Sequence, residues 1–326
     1  MTITPAVWGL TLVVLIGLIA FDLLVAVRRP HAVSMREAGL WTAFYVALAV
    51  LFGLLLWSRA GGDYAGQFYA GWLTEYSLSI DNLFVFVIIM SRFRVPRENQ
   101  QFVLFIGILI ALVMRAAFII IGAAAIQRFS WVFYAFGAFL VYTAVKLATH
   151  SEEESEEFRE NRIIGWVRGR LPTTDVYDGN RFRTTVDGRR LFTPLLVVMV
   201  AIGTTDLLFA LDSIPAIFGL TQEPYLVFAA NAFALMGLRQ LYFLLGGLLD
   251  RLVYLSYGLA VVLGFIGVKL VLEALHTNSV PFINGGEPVE WAPEISTPVS
   301  LAVIVSVLAV TTVASLVRSR RTGFTG

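Results

Sequence analysis

Apolar residues run through this chain in long stretches, parted by short polar segments. A bilayer-crossing helix needs about 20 mostly apolar residues. Nine stretches qualify, at roughly 6–27, 39–58, 67–91, 101–123, 130–149, 194–220, 224–247, 252–275 and 297–317. The pattern predicts an all-α polytopic membrane protein of about nine transmembrane helices. Composition agrees, being 58% hydrophobic and only 14% charged with a mean hydropathy of +0.78, which excludes a soluble globular domain. The first stretch is not read as a cleaved signal peptide, because it has no basic leader and Arg28 and Arg29 follow it.

The polar segments give an orientation. Arg28, Arg29, Arg36, Arg92, Arg94, Arg97, the 150–192 segment and Arg318, Arg320 and Arg321 all fall on one side, whereas the opposite loops hold only Arg59 and Arg128. The positive-inside rule then places the N-terminus outside and the C-terminus in the cytoplasm, as expected of a multi-pass membrane protein. Within 150–192, an acidic run from Glu152 to Glu157 reads as a solvated helix end. Asp187-Gly188 between Arg181–Val186 and Arg189–Phe192 predicts a small β-hairpin. Segment 276–296 is an acidic external loop.

Two acidic stretches interrupt the apolar sequence. One begins Glu75-Tyr76-Ser77-Leu78-Ser79-Ile80-Asp81-Asn82; the other begins Asp206-Leu207-Leu208-Phe209-Ala210-Leu211-Asp212-Ser213. Each sets an acid, a second acid six residues on, and then a small polar residue. A carboxylate inside a bilayer is costly and by default marks a functional site. The echo extends further. Met114-Arg115 matches Leu238-Arg239, and Val145-Lys146-Leu147 matches Val268-Lys269-Leu270, with 31 residues from Arg115 to Lys146 and 30 from Arg239 to Lys269. The chain therefore divides into two leading helices (1–60), a three-helix unit (61–150), a cytoplasmic loop (151–192), a second three-helix unit (193–276), and an external loop, last helix and basic tail (277–326). The two units enter the membrane from opposite sides, so they form an inverted repeat, an arrangement typical of secondary transporters.

Six residues on a helix leave the two acids of a pair about 120° and about 9 Å apart, so one straight helix cannot bring both to one ion. The repeat symmetry instead predicts Glu75 level with Asp212 in an outer layer and Asp81 level with Asp206 in an inner layer. Arg115 and Arg239 are the charge partners, and each layer carries a net charge of −1. Structural Arg–carboxylate pairs alone would leave one acid per layer without a basic partner. The candidate ligands, Glu75, Asp81, Asn82, Asp206, Asp212 and Ser213, are all hard oxygens suited to Mg²⁺, Ca²⁺ or Mn²⁺. Pro215 should leave the Leu211 carbonyl without its helical partner and kink the helix beside Asp212. Asp22 is a fifth acid, either a ligand or an interfacial group. Lys146 and Lys269, near span ends, are expected to snorkel, with Glu273 as a partner of Lys269.

These motifs, from Asp22 to Leu272, resemble the TerC/Alx family of integral membrane proteins, linked to tellurite resistance and manganese efflux. The resemblance rests on Glu75 to Phe86, Leu112-Val-Met-Arg115, Thr204 to Ala216 and Gly237-Leu-Arg239. It implies a metal exporter with intramembrane acids as candidate ligands. Many members carry Glu-Thr-Thr-Asp where this chain has Gly203-Thr204-Thr205-Asp206.

The expected function is secondary export of a divalent cation, Mn²⁺ foremost, with protons as candidate coupling ion. Lipids and metal ions are the expected partners. The competing reading is a non-transporting scaffold or membrane-protein biogenesis factor. Tellurite is an anion that an acid-lined path would repel, so resistance to it would be indirect. An enzyme is not expected, since no Ser/His/Asp, HExxH or phosphate-loop arrangement occurs, and no cofactor is implied. A net charge of +1 gives no case for nucleic acid, and the lack of cysteine excludes disulfides and thiolate sites.

Overall fold

The structure is a computed structural model that describes residues 4–28, 35–129, 131–149, 170–186, 188–245, 254–278, 280–281 and 283–321. The acidic run at 152–157 lies outside the described residues, and so do the side chains of Asp22, Asp81 and Asp212, although their backbone is helical.

The helices are α1 (Pro5–Arg28), α2 (Met35–Ala60), α3 (Gly62–Arg92), α4 (Arg97–Arg128), α5 (Val132–Thr149), α6 (Pro194–Phe218), α7 (Pro224–Met236), α8 (Leu238–Leu245), α9 (Leu255–His276) and α10 (Thr297–Arg321). Among the described residues, eight helical spans are long and apolar enough to cross a membrane, with α7 and α8 together making one, and α1 adds a shorter apolar stretch, Pro5–Leu18. This is an all-α polytopic membrane protein.

Prolines and glycines set the boundaries. Pro194 and Pro224 open α6 and α7, where a missing N–H removes nothing a helix would use. Gly237 separates α7 from α8, so the predicted span 224–247 is two helices in line. Pro215 sits in the last turn of α6, which ends at Phe218.

In a lipid solvent, helices associate by close packing rather than by hiding apolar surface from water. The most extensive contact, α5 against α9, follows this rule. A Cβ on Gly137 would lie 2.8 Å from the Gly267 carbonyl oxygen, so the backbones approach only because both positions lack side chains. In the centre, α3 packs on α7 and α4 packs on α6, while α3 also meets α6 and α4 meets α7. The fully buried Ala229, Ala230 and Ala234 of α7 permit that approach. The outer helices α2 and α10 flank α3, and most of their large apolar side chains face outward, as lipid contact requires.

The described loop segment 170–193 is docked against the α3–α4 turn. Its strands β1 (Arg183–Val186) and β2 (Arg189–Phe192) pair antiparallel, with Val186 opposite Arg189. Gly188, at a φ of 74°, supplies the left-handed turn position. The Tyr177 hydroxyl donates to the Phe93 carbonyl at 2.8 Å, and Asn99 Nδ2 donates to the Gly179 carbonyl at 2.7 Å.

Candidate functional site

The site is assembled from the middles of four helices. Arg115, halfway along α4, is 1% exposed. Its guanidinium pairs with Glu75 Oε1 of α3 and, through Nη2, with Asp206 Oδ1 of α6 at 3.3 Å. Nη1 also donates to Asn231 Oδ1 of α7 at 2.9 Å. Glu75, Asp206 and Asn231 are likewise buried. The planar fork of an arginine can engage several oxygens at once, and here it draws one acid from each of the two echoing stretches to a single point.

That arrangement corrects the predicted layering. Glu75 and Asp206 were expected at different depths, each level with an acid of the other pair, but they share one guanidinium. The reach of the arginine and carboxylate side chains spans the offset between their backbone positions. The structure describes no side-chain geometry for Asp81 and Asp212, which leaves the expected pairings of Asp212 with Glu75 and of Asp81 with Asp206 outside the described residues.

The local charge is −1, from two carboxylates and one guanidinium. Glu75 Oε2, Asp206 Oδ2 and Asn231 Nδ2 have no hydrogen-bond partner among the described residues. Ser213 is buried with its Oγ in the same state, and so are Thr74 Oγ1 and Trp72 Nε1 on the turn of α3 that carries Glu75. A buried polar atom left unpaired costs about 1–3 kcal/mol, more when charged. Two carboxylate oxygens and an amide left so around one guanidinium point to a polar ligand or to water. Asn82 is buried too, and Arg239 is buried at the start of α8. Among the described residues, no three acidic or histidine side chains gather into a ready-made metal cage. Ser77 is committed to its own helix, donating to the Leu73 carbonyl at 2.7 Å.

Asn231 is the functional candidate that reading the sequence missed. A buried amide within a membrane span needs a partner, and that was the available signal. Asn231 carries no charge, however, and the position matching it in the first unit is Gly107. Lys269 also departs from expectation. It does not snorkel but is 9% exposed, with Nζ donating to Ser300 Oγ at 3.1 Å. Lys146 is exposed.

Comparison with known proteins shows the family. The model of the Integral membrane protein TerC family matches residues 60–323, which include all four residues of the Arg115 cluster. The chain belongs to the TerC family. It is 52% identical over 317 residues to an uncharacterized membrane protein of Mycobacterium tuberculosis, covering 96% of this chain and 80% of the relative. An uncharacterized membrane protein of Myxococcus xanthus is 41% identical over 317 residues, 97% of this chain and 94% of the relative. Alx of Escherichia coli, by its name a proposed membrane-bound redox modulator, is 41% identical over 278 residues, 82% of this TerC protein and 86% of Alx. No solved structure matches the chain.

Proposed function

We propose that this TerC protein exports a divalent metal cation, Mn²⁺ foremost, across the bacterial plasma membrane, with its N-terminus outside and its C-terminus in the cytoplasm. One observation carries the reading: two carboxylates from two echoing helices converge on one buried guanidinium, and each keeps an oxygen without a partner. Arg115 serves as the resident cation. An arriving divalent ion takes the free oxygens, and Asn231 holds the guanidinium as the carboxylates exchange it for the ion. Asp81, Asn82, Asp212 and Ser213 are the further ligands along the path, and Asp22 the candidate at its inner end. Oxygen donors alone favour Mn²⁺, Mg²⁺ or Ca²⁺ over soft metals.

An inverted repeat would supply alternating access. Helix packing supports it: exchanging α3 with α6, α4 with α7 and α5 with α9 turns the α3–α7 contact into the α4–α6 contact and leaves α3–α6, α4–α7 and α5–α9 unchanged. A redox role like the one in the name of Alx would have to run without thiols, since this chain has no cysteine. Tellurium resistance, on this reading, follows indirectly from metal balance.

The test is flux into and out of proteoliposomes, scanned over Mn²⁺, Mg²⁺, Ca²⁺ and Zn²⁺ at imposed pH gradients. Saturable Mn²⁺ movement is the expected result. Absence of flux for every cation would favour the scaffold reading.

A further inference from the structure

The α3–α4 turn holds an arginine where glycine is the usual residue. α3 ends at Arg92, with Phe93 as its cap. The Val95 N–H donates to the Met90 carbonyl at 2.9 Å, and the Arg94 N–H donates to the Ser91 carbonyl at 3.0 Å. Val95 and Met90 are buried in the same core. This is the bonding of a Schellman motif, whose left-handed position favours glycine because a Cβ is disfavoured there. Arg94 occupies that position at a φ of 50°, and it is exposed. A residue kept in a sparsely populated backbone conformation points to a role for its side chain.

Other arginines share this end of the bundle. Segments 92–98 and 170–193 contain eight arginines, four acids and no lysine. The second segment is fixed to the turn by the Tyr177–Phe93 and Asn99–Gly179 hydrogen bonds, and to α4 by contact between the Phe182 and Phe102 rings. In the hairpin Thr184, Val186 and Leu191 are half-buried, whereas Arg183, Thr185 and Arg190 are exposed. The register sets Arg183 opposite Phe192 and Thr185 opposite Arg190, so Arg183 and Arg190 lie on one face, the outward one. The Arg183 guanidinium sits 4.5 Å from the centre of the Phe192 ring, which orients it. Those of Arg94, Arg97 and Arg190 pair with no acid among the described residues. Arg97 opens α4, where a cation opposes the helix dipole and an anion is favoured. Charge that only orients a chain in a membrane needs neither arginine in preference to lysine nor a strained backbone position.

We propose that this face docks anionic phospholipid, with Arg94 and Arg97 of the turn and Arg183 and Arg190 of the hairpin holding the headgroup phosphates. The fork of a guanidinium matches phosphate oxygens. The turn joins two helices long and apolar enough to cross a membrane, so it lies at the boundary where headgroups are concentrated. A zwitterionic lipid brings its own cation and gains less from the patch. The bound lipid clamps the hairpin to the ends of α3 and α4, the helices that carry Glu75 and Arg115.

The experiment adds phosphatidylglycerol or phosphatidylcholine to the full chain purified in a neutral detergent. Native mass spectrometry counts bound lipid, and the melting temperature is read alongside. The wild type should retain phosphatidylglycerol in preference, melt higher with it, and lose the preference in high salt. Arg94→Gly removes the charge but suits the backbone. Without lipid it should melt no lower than the wild type, yet bind phosphatidylglycerol about fivefold more weakly, as expected for one surface charge. The double variant Arg183→Gln, Arg190→Gln should bind it roughly 25-fold more weakly. Arg59→Gln removes an exposed charge at the far end of α3 and should change nothing. Equal retention of the two lipids by the wild type would overturn the proposal. So would a preference that survives in both the Arg94 and the hairpin variants, an equal loss in Arg59→Gln, or inorganic phosphate matching the lipid at equal concentration. Lipid counts need no flux, so the proposal and the export reading fail separately.

Discussion

The two three-helix units share their acid spacing, their arginine and their lysine, yet they are built differently. In the first, α4 runs from Arg97 to Arg128 without interruption, and Arg115 sits at its middle. In the second, the matching span breaks at Gly237, and Arg239 follows directly on the break. The first unit has no proline beside its acids; the second has Pro215 three residues after Asp212. Lys146 faces outward, whereas Lys269 lines a polar cavity. The contrast suggests a division of labour, in which an unbroken helix fixes the countercharge and a broken span with a proline-ended neighbour provides the parts that move.

Four substitutions would break or sharpen that comparison. The largest effect is expected from Arg115→Leu, which leaves Glu75 and Asp206 buried without their shared cation. Destabilisation of about 3–5 kcal/mol is expected for a broken buried pair, read from unfolding in detergent and partly recovered by adding Asp206→Asn. Next, Gly203→Glu adds a carboxylate three residues before Asp206. Its Cβ would meet Ile110 at 3.6 Å, an ordinary contact. The expected result is higher Mn²⁺ affinity, with up to about 3 kcal/mol lost when no cation is present. Asn231→Leu should cost about 1–3 kcal/mol by removing an acceptor from Arg115, seen as a lower melting temperature that added Mn²⁺ recovers less well than in the wild type. The smallest change is Gly237→Ala. The new Cβ has space, 3.7 Å from Tyr45 Cβ, and alanine favours a continuous helix by about 1 kcal/mol. Stability should hold or rise while transport slows at unchanged Mn²⁺ affinity. An unchanged rate would remove the break from the mechanism.

Much of this was legible in the sequence, for physical reasons. The spans could be read because burial in lipid demands long apolar runs, and the hairpin because Gly188 can take a positive φ that few residues tolerate. The acids Glu75 and Asp206 and their partner Arg115 stood out because charge is expensive within a bilayer. Which acids meet was not legible, since that depends on side-chain reach and helix packing rather than on position along an axis. Asn231 was hidden among apolar neighbours because an uncharged amide leaves only a weak trace in hydropathy. The burial of Lys269 depends on Ser300, 31 residues away on another helix, which no local pattern reveals.

The central claim is that Glu75 and Asp206 form one cation site around Arg115. Equilibrium Mn²⁺ binding to the purified protein tests it most directly, by counting bound ions in Glu75→Gln, Asp206→Asn and the double variant, each shown to be folded. Each single change should remove the same single site, and the double should lose no more than either alone. Full binding in both single variants, or separate losses that add in the double, would contradict it.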